Sequence, residues 1–359
     1  MSPASCGPTS WRGRTPPVTT TSPPAEPAGA GPSGSGEFGR IARFFKPLAA
    51  GFAGSLGLAN DAAVFGVPEG QELVVTMDAM VAGIHFLPDD PPADIAAKLL
   101  RVNLSDLAAM AAEPLAYTLA TALPKSLGDD WLAAFTAGLA ADQARFGIGL
   151  AGGDSVSTSG PVTLSLTAFG LVPRGRALPR KAAHNDDCLF VTGTIGDAAL
   201  GLAVALGTLA PDGAESRVHL LDRLRRPEPR LAVGRGLRGL ATACIDVSDG
   251  LVADLAHVAE ETGCAALLES AAVPMSDAVR SAIGKDPALL VTALTGGDDY
   301  ELLFTAPESA RPDLARLAAD TGVPITEIGR LTPGAAGEVT VLDAAGNAMA
   351  LERRGWVHF

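Results

Sequence analysis

The chain has 359 residues, 47% hydrophobic and 19% charged, enough for two ordinary domains with a sizeable core. Its 27 Lys and Arg against 40 Asp and Glu leave a net charge of −13, which excludes the basic footprint expected of a nucleic-acid binder. No run reaches the roughly 18 apolar residues of a membrane span. Four cysteines (Cys6, Cys188, Cys244 and Cys264) show no CxxC spacing, so free thiols in a reducing, cytoplasmic setting are expected rather than a disulfide or zinc framework.

Residues 1–36 are rich in Pro, Ser, Thr and Gly and read as a disordered tail, because they cannot bury enough apolar surface to offset the entropy of ordering. "GEFGRIARFF" opens the folded part as a short amphipathic helix with Ile41, Phe44 and Phe45 at helical spacing. "ELVVTMDAM" (72–80) is β-rich and reads as a strand. Residues 92–112, Ala/Leu-rich without internal Pro or Gly after the start, read as a long helix. A strand over 117–124, a helix over 129–147 closed by Gly147, and strands in "IGLAGGDS" and "PVTLSLTAFGLVP" follow. In the second half, "DDCLFVTGTIG" leads a strand into a helix at 197–207, "CIDVSDGLVADLAHVAEETG" reads as strand, turn and helix, and "TGGDDYELLFTAP" as turn and strand. "DLARLAADTG" reads as a further helix. Strands and helices mingle without strict βαβ order, which predicts an α+β, mixed-sheet fold. The polar stretch near 173–185 divides a unit over 37–175 from one over 176–359.

Several apolar segments end in Asp: Asp61, Asp78, Asp154, Asp246 with Asp249, and Asp298 with Asp299. Asp106 lies inside the long helix, three residues after Asn103 and so on the same face. Each has a local explanation. Asp61 and Asp154 suit Asx turns, Asp249 suits a helix N-cap, and a mid-helix Asp106 could point to solvent. One mechanism accounts for all of them together, since hard divalent cations take oxygen ligands and Mg²⁺ on substrate phosphates recruits one or two carboxylates per ion. "GGD" at 152–154 and 296–298 offers close backbone approach to a ligand. There is no P-loop and no strand–GxGxxG–helix fingerprint. Candidate phosphate-binding cations are Arg101, Arg174, Arg176, Arg180 and Lys181, and His85 reads either as a satisfied imidazole or as a site residue.

"NDAAVF", "TMDAMVAGIHFLP", "VNLSDLAAMAAEP", "GLAGGDS", "GRALPR", "CIDVSDGLVADL", "TGGDDYELLF" and "GWVHF" occur in that order from about residue 36 to the end. Together they resemble the thiamine-monophosphate kinase family, within the superfamily of aminoimidazole ribonucleotide synthetase. The resemblance implies a two-domain fold whose N-terminal domains pair in a homodimer, and ATP-dependent phosphorylation of thiamine monophosphate to thiamine diphosphate, with several Mg²⁺ ions. It implies metal ligands at Asp61, Thr76, Met77 (through its main-chain oxygen), Asp78, Asp106, Asp154, Asp246 and Asp249. Of these, Asp106, Asp246 and Asp249 are the expected catalytic carboxylates. It implies nucleotide contacts at Gly153, Asp154, Arg180 and Ser248, and substrate contacts at His85, Asp298 and Trp356.

The chain departs from the family pattern at three places. Asn60 replaces one Asp of the usual Gly-Asp-Asp, Asp298 stands where Glu is common, and Ala111 stands where Gly is usual, which is expected to tighten packing behind Asp106. Other readings are a selenophosphate synthetase-like or hydrogenase-maturation-like enzyme, or a non-catalytic regulator that binds nucleotide or thiamine phosphate. The first two should carry a reactive Cys in a Gly-rich N-terminal stretch or a Cys tail; this chain ends "GWVHF".

Overall fold

The structure is a computed structural model that describes residues 37–351 and Gly355. The proposed disordered tail, Cys6 and Trp356 lie outside the described residues. Among the described residues, ten strands fall into two sheets. The first holds β1 (Gln71–Val81), β2 (Glu113–Pro124), β3 (Gly149–Thr158) and β4 (Thr163–Pro173), in the order β1-β4-β2-β3. The second holds β5 (Cys188–Thr192), β6 (Ala243–Asp246), β7 (Ala265–Glu269), β8 (Leu302–Ala306), β9 (Ile325–Thr332) and β10 (Val339–Leu342), in the order β10-β7-β9-β5-β8-β6. Only β2–β3 and β7–β10 pair in parallel. The architecture is therefore α+β with mixed sheets.

The helices are α1 (Glu37–Arg40), α2 (Pro92–Ala109), α3 (Asp129–Phe146), α4 (Asp197–Ala205), α5 (Gly213–Arg225), α6 (Leu231–Gly236), α7 (Leu251–Thr262), α8 (Asp277–Lys285), α9 (Leu289–Thr295) and α10 (Arg311–Thr321). The expected N-terminal helix begins as α1 and continues as a π-helical turn over Ile41–Phe45, with Phe44 and Phe45 buried.

Helix α2 organises the molecule. Pro92 opens it and Asp94 lies in its first turn, both favourable at an N-terminus. Leu99, Leu100, Leu104 and Leu107 are fully buried, in one core that takes Leu164 and Leu166 from the first sheet and Leu302 and Phe304 from the second. Each such leucine contributes about 1.5–3 kcal/mol. Arg101, a candidate phosphate ligand on sequence grounds, is buried here. Its Nε and Nη2 donate to Asp142 of α3 at 2.7 and 2.8 Å, so its guanidinium is occupied in joining two helices.

The helix stops three residues earlier than its composition predicts. Ala112 N–H donates to Leu107 O at 2.8 Å and Ala111 N–H to Ala108 O at 2.9 Å, the paired bonds of a Schellman ending. Ala111 sits at φ +56° in the position usually given to Gly. The consequence of Ala111 is thus a left-handed backbone that a Cβ disfavours, and Arg238 fixes it by donating from Nε to Ala111 O at 3.0 Å.

Candidate active site

Strand β1 turns Thr76 and Asp78 to one face, because side chains two apart share a side. Helix α2 meets that face with Asn103 and Asp106. The Thr76 hydroxyl donates to Asp106 Oδ2, and Asp78 N–H donates to Asn103 Oδ1 at 3.2 Å. Asn103 is fully buried and its Nδ2 donates to Leu99 O at 2.9 Å. Asp106 therefore points into the molecule and not to solvent. From the second sheet, β6 ends in the buried Asp246.

These three carboxylates share one electrostatic environment. Burial, and then the Asp106 charge, push Asp78 up to about 7. Burial raises Asp106, opposed by the Thr76 hydroxyl and the Arg180 charge. Asp246 is raised well above the ordinary carboxylate range by burial and then by Asp106, with smaller effects from Asp254 and Asp78. Among the described residues no Lys or Arg forms an ion pair with any of the three. Buried carboxylates without counter-charge are the donor chemistry of a hard cation. No group of three acidic or imidazole side chains among the described residues converges on a single ion position. Mg²⁺ needs only one or two carboxylates and otherwise keeps water and phosphate oxygens in its shell.

The turn after β6 is built by a residue that sequence reasoning missed. Helix α7 starts at Leu251 with Gly250 at its N-cap position, at φ 126°. Asp249 is not the cap. Instead the buried Asp254 folds back, and its Oδ2 accepts the N–H groups of Ser248 and Asp249 at 3.0 Å and of Gly250 at 3.2 Å. Burial and the Asp249 charge push Asp254 up to about 7 against those three donors. The signal was an Asp in the first turn of the helix, where the dipole favours it.

The second Gly-Gly-Asp segment packs on this turn. Asp298 N–H donates to Ser248 O at 2.9 Å and Tyr300 N–H to Val247 O at 2.8 Å. A Cβ on Gly297 would lie 2.2 Å from Ser248 O, so the approach requires glycine. The next carboxylates are structural. Asp299 accepts from Gly196 N–H at 2.7 Å and Ala198 N–H at 3.1 Å, at the start of α4, and burial pushes it up to about 7. The fully buried Glu301 pairs with Arg223 at 2.8 Å and Arg230 at 2.5 Å.

Beside this loop lies a cavity of about 280 Å³ lined by Ile84, His85, Phe86, Lys98, Leu206 and Asp298, among others. His85 Nδ1 accepts from Val81 N–H at 3.1 Å, which leaves its ring proton on Nε2. Lys98 is a second residue that sequence reasoning missed, one of two cations, with Arg101, in the Ala/Leu-rich α2.

Asp61, Gly153 and Asp154 stand elsewhere. They line a cavity of about 220 Å³ with Asn60 and Ser155, at strand β3. A Cβ on Gly153 would lie 1.9 Å from Leu119 O. Since β1 and β3 are the opposite edges of the first sheet, one chain does not bring these residues to Asp78. Asp154 and Asp61 are exposed, and Asp154 Oδ1 accepts from its neighbour Ser155 N–H at 2.8 Å. The Met77 side chain is 64% exposed on the face of β1 turned away from α2. Arg180 is exposed and lines a separate cleft with Lys181, His257 and Glu260.

Comparison with known proteins gives the family. Residues 59–172 match the AIR synthase related protein N-terminal domain, and residues 185–342 match the AIR synthase related protein C-terminal domain. The thiamine-monophosphate kinase of Escherichia coli strain K12 is 42% identical over 325 residues, covering 90% of this chain and 98% of that protein. The chain belongs to the thiamine-monophosphate kinase family. A crystal structure of thiamine-monophosphate kinase from Stenotrophomonas maltophilia K279a superposes with a TM-score of 0.74 at 42% identity, over 81% of this chain and 91% of that one. The structure of AaThiL complexed with AMPPCP and TMP superposes with a TM-score of 0.72 at 29% identity, over 90% of this chain and 97% of that one. The family thus includes a member seen with an ATP analogue and thiamine monophosphate together. In the present member of the thiamine-monophosphate kinase family, the charges of Asp298, which lines the 280 Å³ cavity, and of Asp78, Asp246 and Asp106 all reach Tyr300.

Proposed function

We infer that this chain is an ATP-dependent thiamine-phosphate kinase: it transfers the γ-phosphoryl group of ATP to the phosphate of thiamine monophosphate, giving ADP and thiamine diphosphate. The observation that carries the reading is the meeting of three carboxylates that have no ion-pair partner among the described residues: the buried Asp246 of β6 and the half-buried Asp78 of β1 and Asp106 of α2. A relative seen with both an ATP analogue and thiamine monophosphate supports it.

Asp78, Asp106, Asp246 and Asp249 are the residues that would hold Mg²⁺, with Thr76, the Met77 carbonyl, Asp61 and Asp154 completing the set. Bound Mg²⁺ supplies charge neutralisation between two polyanions and stabilises charge on the group in transfer. Thr76 and Asn103 hold Asp106 and the Asp78 backbone in place, and Asp254 holds the Ser248–Gly250 turn. Arg180, already felt electrostatically by Asp106, is the proposed polyphosphate clamp, suited to it by the planar guanidinium fork. Ser248, Gly153 and Asp154 are proposed nucleotide contacts. His85 and Asp298 border the cavity proposed for thiamine monophosphate, with Trp356 as a further contact. The acceptor phosphate is largely ionised near neutral pH, so the residues here supply no general base, and transfer is direct and in line.

We further propose a homodimer. One face of the first sheet lies under α2, while on the other Leu73, Val75 and Met77 of β1 are exposed. A second copy covering that face would bury the apolar stripe and bring the partner's β3 edge toward β1. A cytoplasmic location fits the free, buried Cys188, Cys244 and Cys264. No helix among the described residues is long and apolar enough to cross a membrane.

Purified protein with ATP, Mg²⁺ and thiamine monophosphate should form thiamine diphosphate and ADP in equal amounts. ADP release that ignores thiamine monophosphate would refute the substrate assignment.

A further inference from the structure

We propose that Lys98 is a positioning residue for the substrate cavity, fixing Asp298 and the His85 turn against one another. The inference rests on the reading of the 280 Å³ cavity as the thiamine monophosphate site.

Lys98 projects from the middle of α2 with its side chain only 5% exposed. A buried ammonium must find acceptors for its protons, because desolvation without them is costly. It finds two. Nζ donates to His85 O at 2.9 Å and to Asp298 Oδ2 at 3.0 Å. These acceptors belong to two separate segments of the lining: His85 lies in the turn that follows β1, and Asp298 in the loop that precedes β8. They are 213 residues apart in sequence, as their numbers show, and Lys98 joins them through one nitrogen.

Asp298 depends on this link. Its backbone sits at φ +73°, in the left-handed region, and its N–H is held by Ser248 O at 2.9 Å. The main chain is thereby fixed to the acidic turn, and the direction of the carboxylate is set by the ammonium it meets. Lys98 touches both segments and is among the residues lining the cavity. Removing its charge frees Asp298 to turn away and unpins the His85 carbonyl, so the cavity loses its shape while the carboxylates of the acidic cluster keep their own partners. The effect should fall on thiamine monophosphate and spare the nucleotide.

Calorimetric titration of the full chain with thiamine monophosphate, and separately with the ATP analogue AMPPCP and Mg²⁺, tests this. Lys98→Met should weaken thiamine monophosphate at least about tenfold and leave AMPPCP within about twofold. Asp298→Asn should do the same. The double variant should be no more than about threefold weaker than the weaker single variant, since both break one link. Lys98→Met that binds thiamine monophosphate like wild type, that weakens both ligands equally, or that multiplies with Asp298→Asn would overturn the proposal. Should Lys98→Met fail to fold, Lys98→Gln is read the same way, because a shorter, uncharged amide carries no ammonium to hold the Asp298 carboxylate. Leu206→Glu, on an exposed part of the cavity wall, separates the two readings. If it weakens thiamine monophosphate while Lys98→Met does not, only the role of Lys98 falls. If it leaves binding unchanged, the cavity assignment falls and the role of Lys98 with it.

Discussion

Asp254 accepts the backbone N–H of Asp249 at 3.0 Å, and this one contact divides labour between the two carboxylates of the turn. Asp254 is buried and anchors the Ser248–Gly250 backbone, while the Asp249 side chain is the one proposed for the metal. Asp254→Ala would leave three N–H groups without their acceptor, a loss of about 1–3 kcal/mol. Urea unfolding at pH 8 should show that loss, and the Mg²⁺ concentration for half-maximal activity should rise several-fold. Unchanged values of both would return Asp254 to a passive place in the helix.

Asp106→Asn separates stability from function. The three carboxylates repel one another in a buried setting, so removing one charge relieves the metal-free protein. Turnover should fall at least about a hundredfold, while the metal-free Tm stays equal or rises. Differential scanning calorimetry beside a steady-state assay reads both.

The raised carboxyl groups fix the sign of a pH effect. Asp78 is pushed up to about 7 from an unfolded value near 4. The folded state therefore holds protons more tightly, and the stability these groups contribute is lost as pH rises from about 4 through 7. A divalent cation competes with those protons. The increase in Tm on adding Mg²⁺ should be larger at pH 8 than at pH 5.5, by about 2 °C or more. An increment that shrinks with rising pH would place the ion elsewhere.

The exposed stripe on β1 predicts an association that can be broken. Val75→Glu with Met77→Glu, at positions 53% and 64% exposed in one chain, should convert a dimer to a monomer on size-exclusion chromatography with light scattering. Because Asp61, Gly153 and Asp154 lie at the far edge of the sheet, that monomer should also lose turnover. A fully active monomer would contradict the shared site.

Much of this was readable from residue order. The period-2 and period-3.6 patterns locate β1, α2, α3 and β4 within a few residues, and the spacing puts Asn103 and Asp106 on one face, while leaving open whether Asp106 points to solvent. What escaped depends on backbone geometry and strand order. Asp249 has the composition of an N-cap, yet the chain reaches its left-handed turn through Gly250 and takes its cap from Asp254. Helix α2 ends at Ala109 because a Schellman pair closes it, although Met110–Ala112 have good helix propensity. Lys98 looks like a surface lysine until the 296–300 loop covers it. The separation of Asp61 and Asp154 from Asp78 follows from the order β1-β4-β2-β3, which hydrophobic periodicity does not encode.

The central claim is that the Asp78, Asp106 and Asp246 cluster carries phosphoryl transfer from ATP to thiamine monophosphate. Rapid-quench measurement of thiamine diphosphate formation across a Mg²⁺ titration, for the wild-type chain and Asp246→Asn, tests it most directly. The account predicts one thiamine diphosphate per ADP in the wild type and about 1% or less of that rate in Asp246→Asn at any Mg²⁺ concentration. A folded Asp246→Asn protein with near-wild-type rates at saturating Mg²⁺ would contradict it.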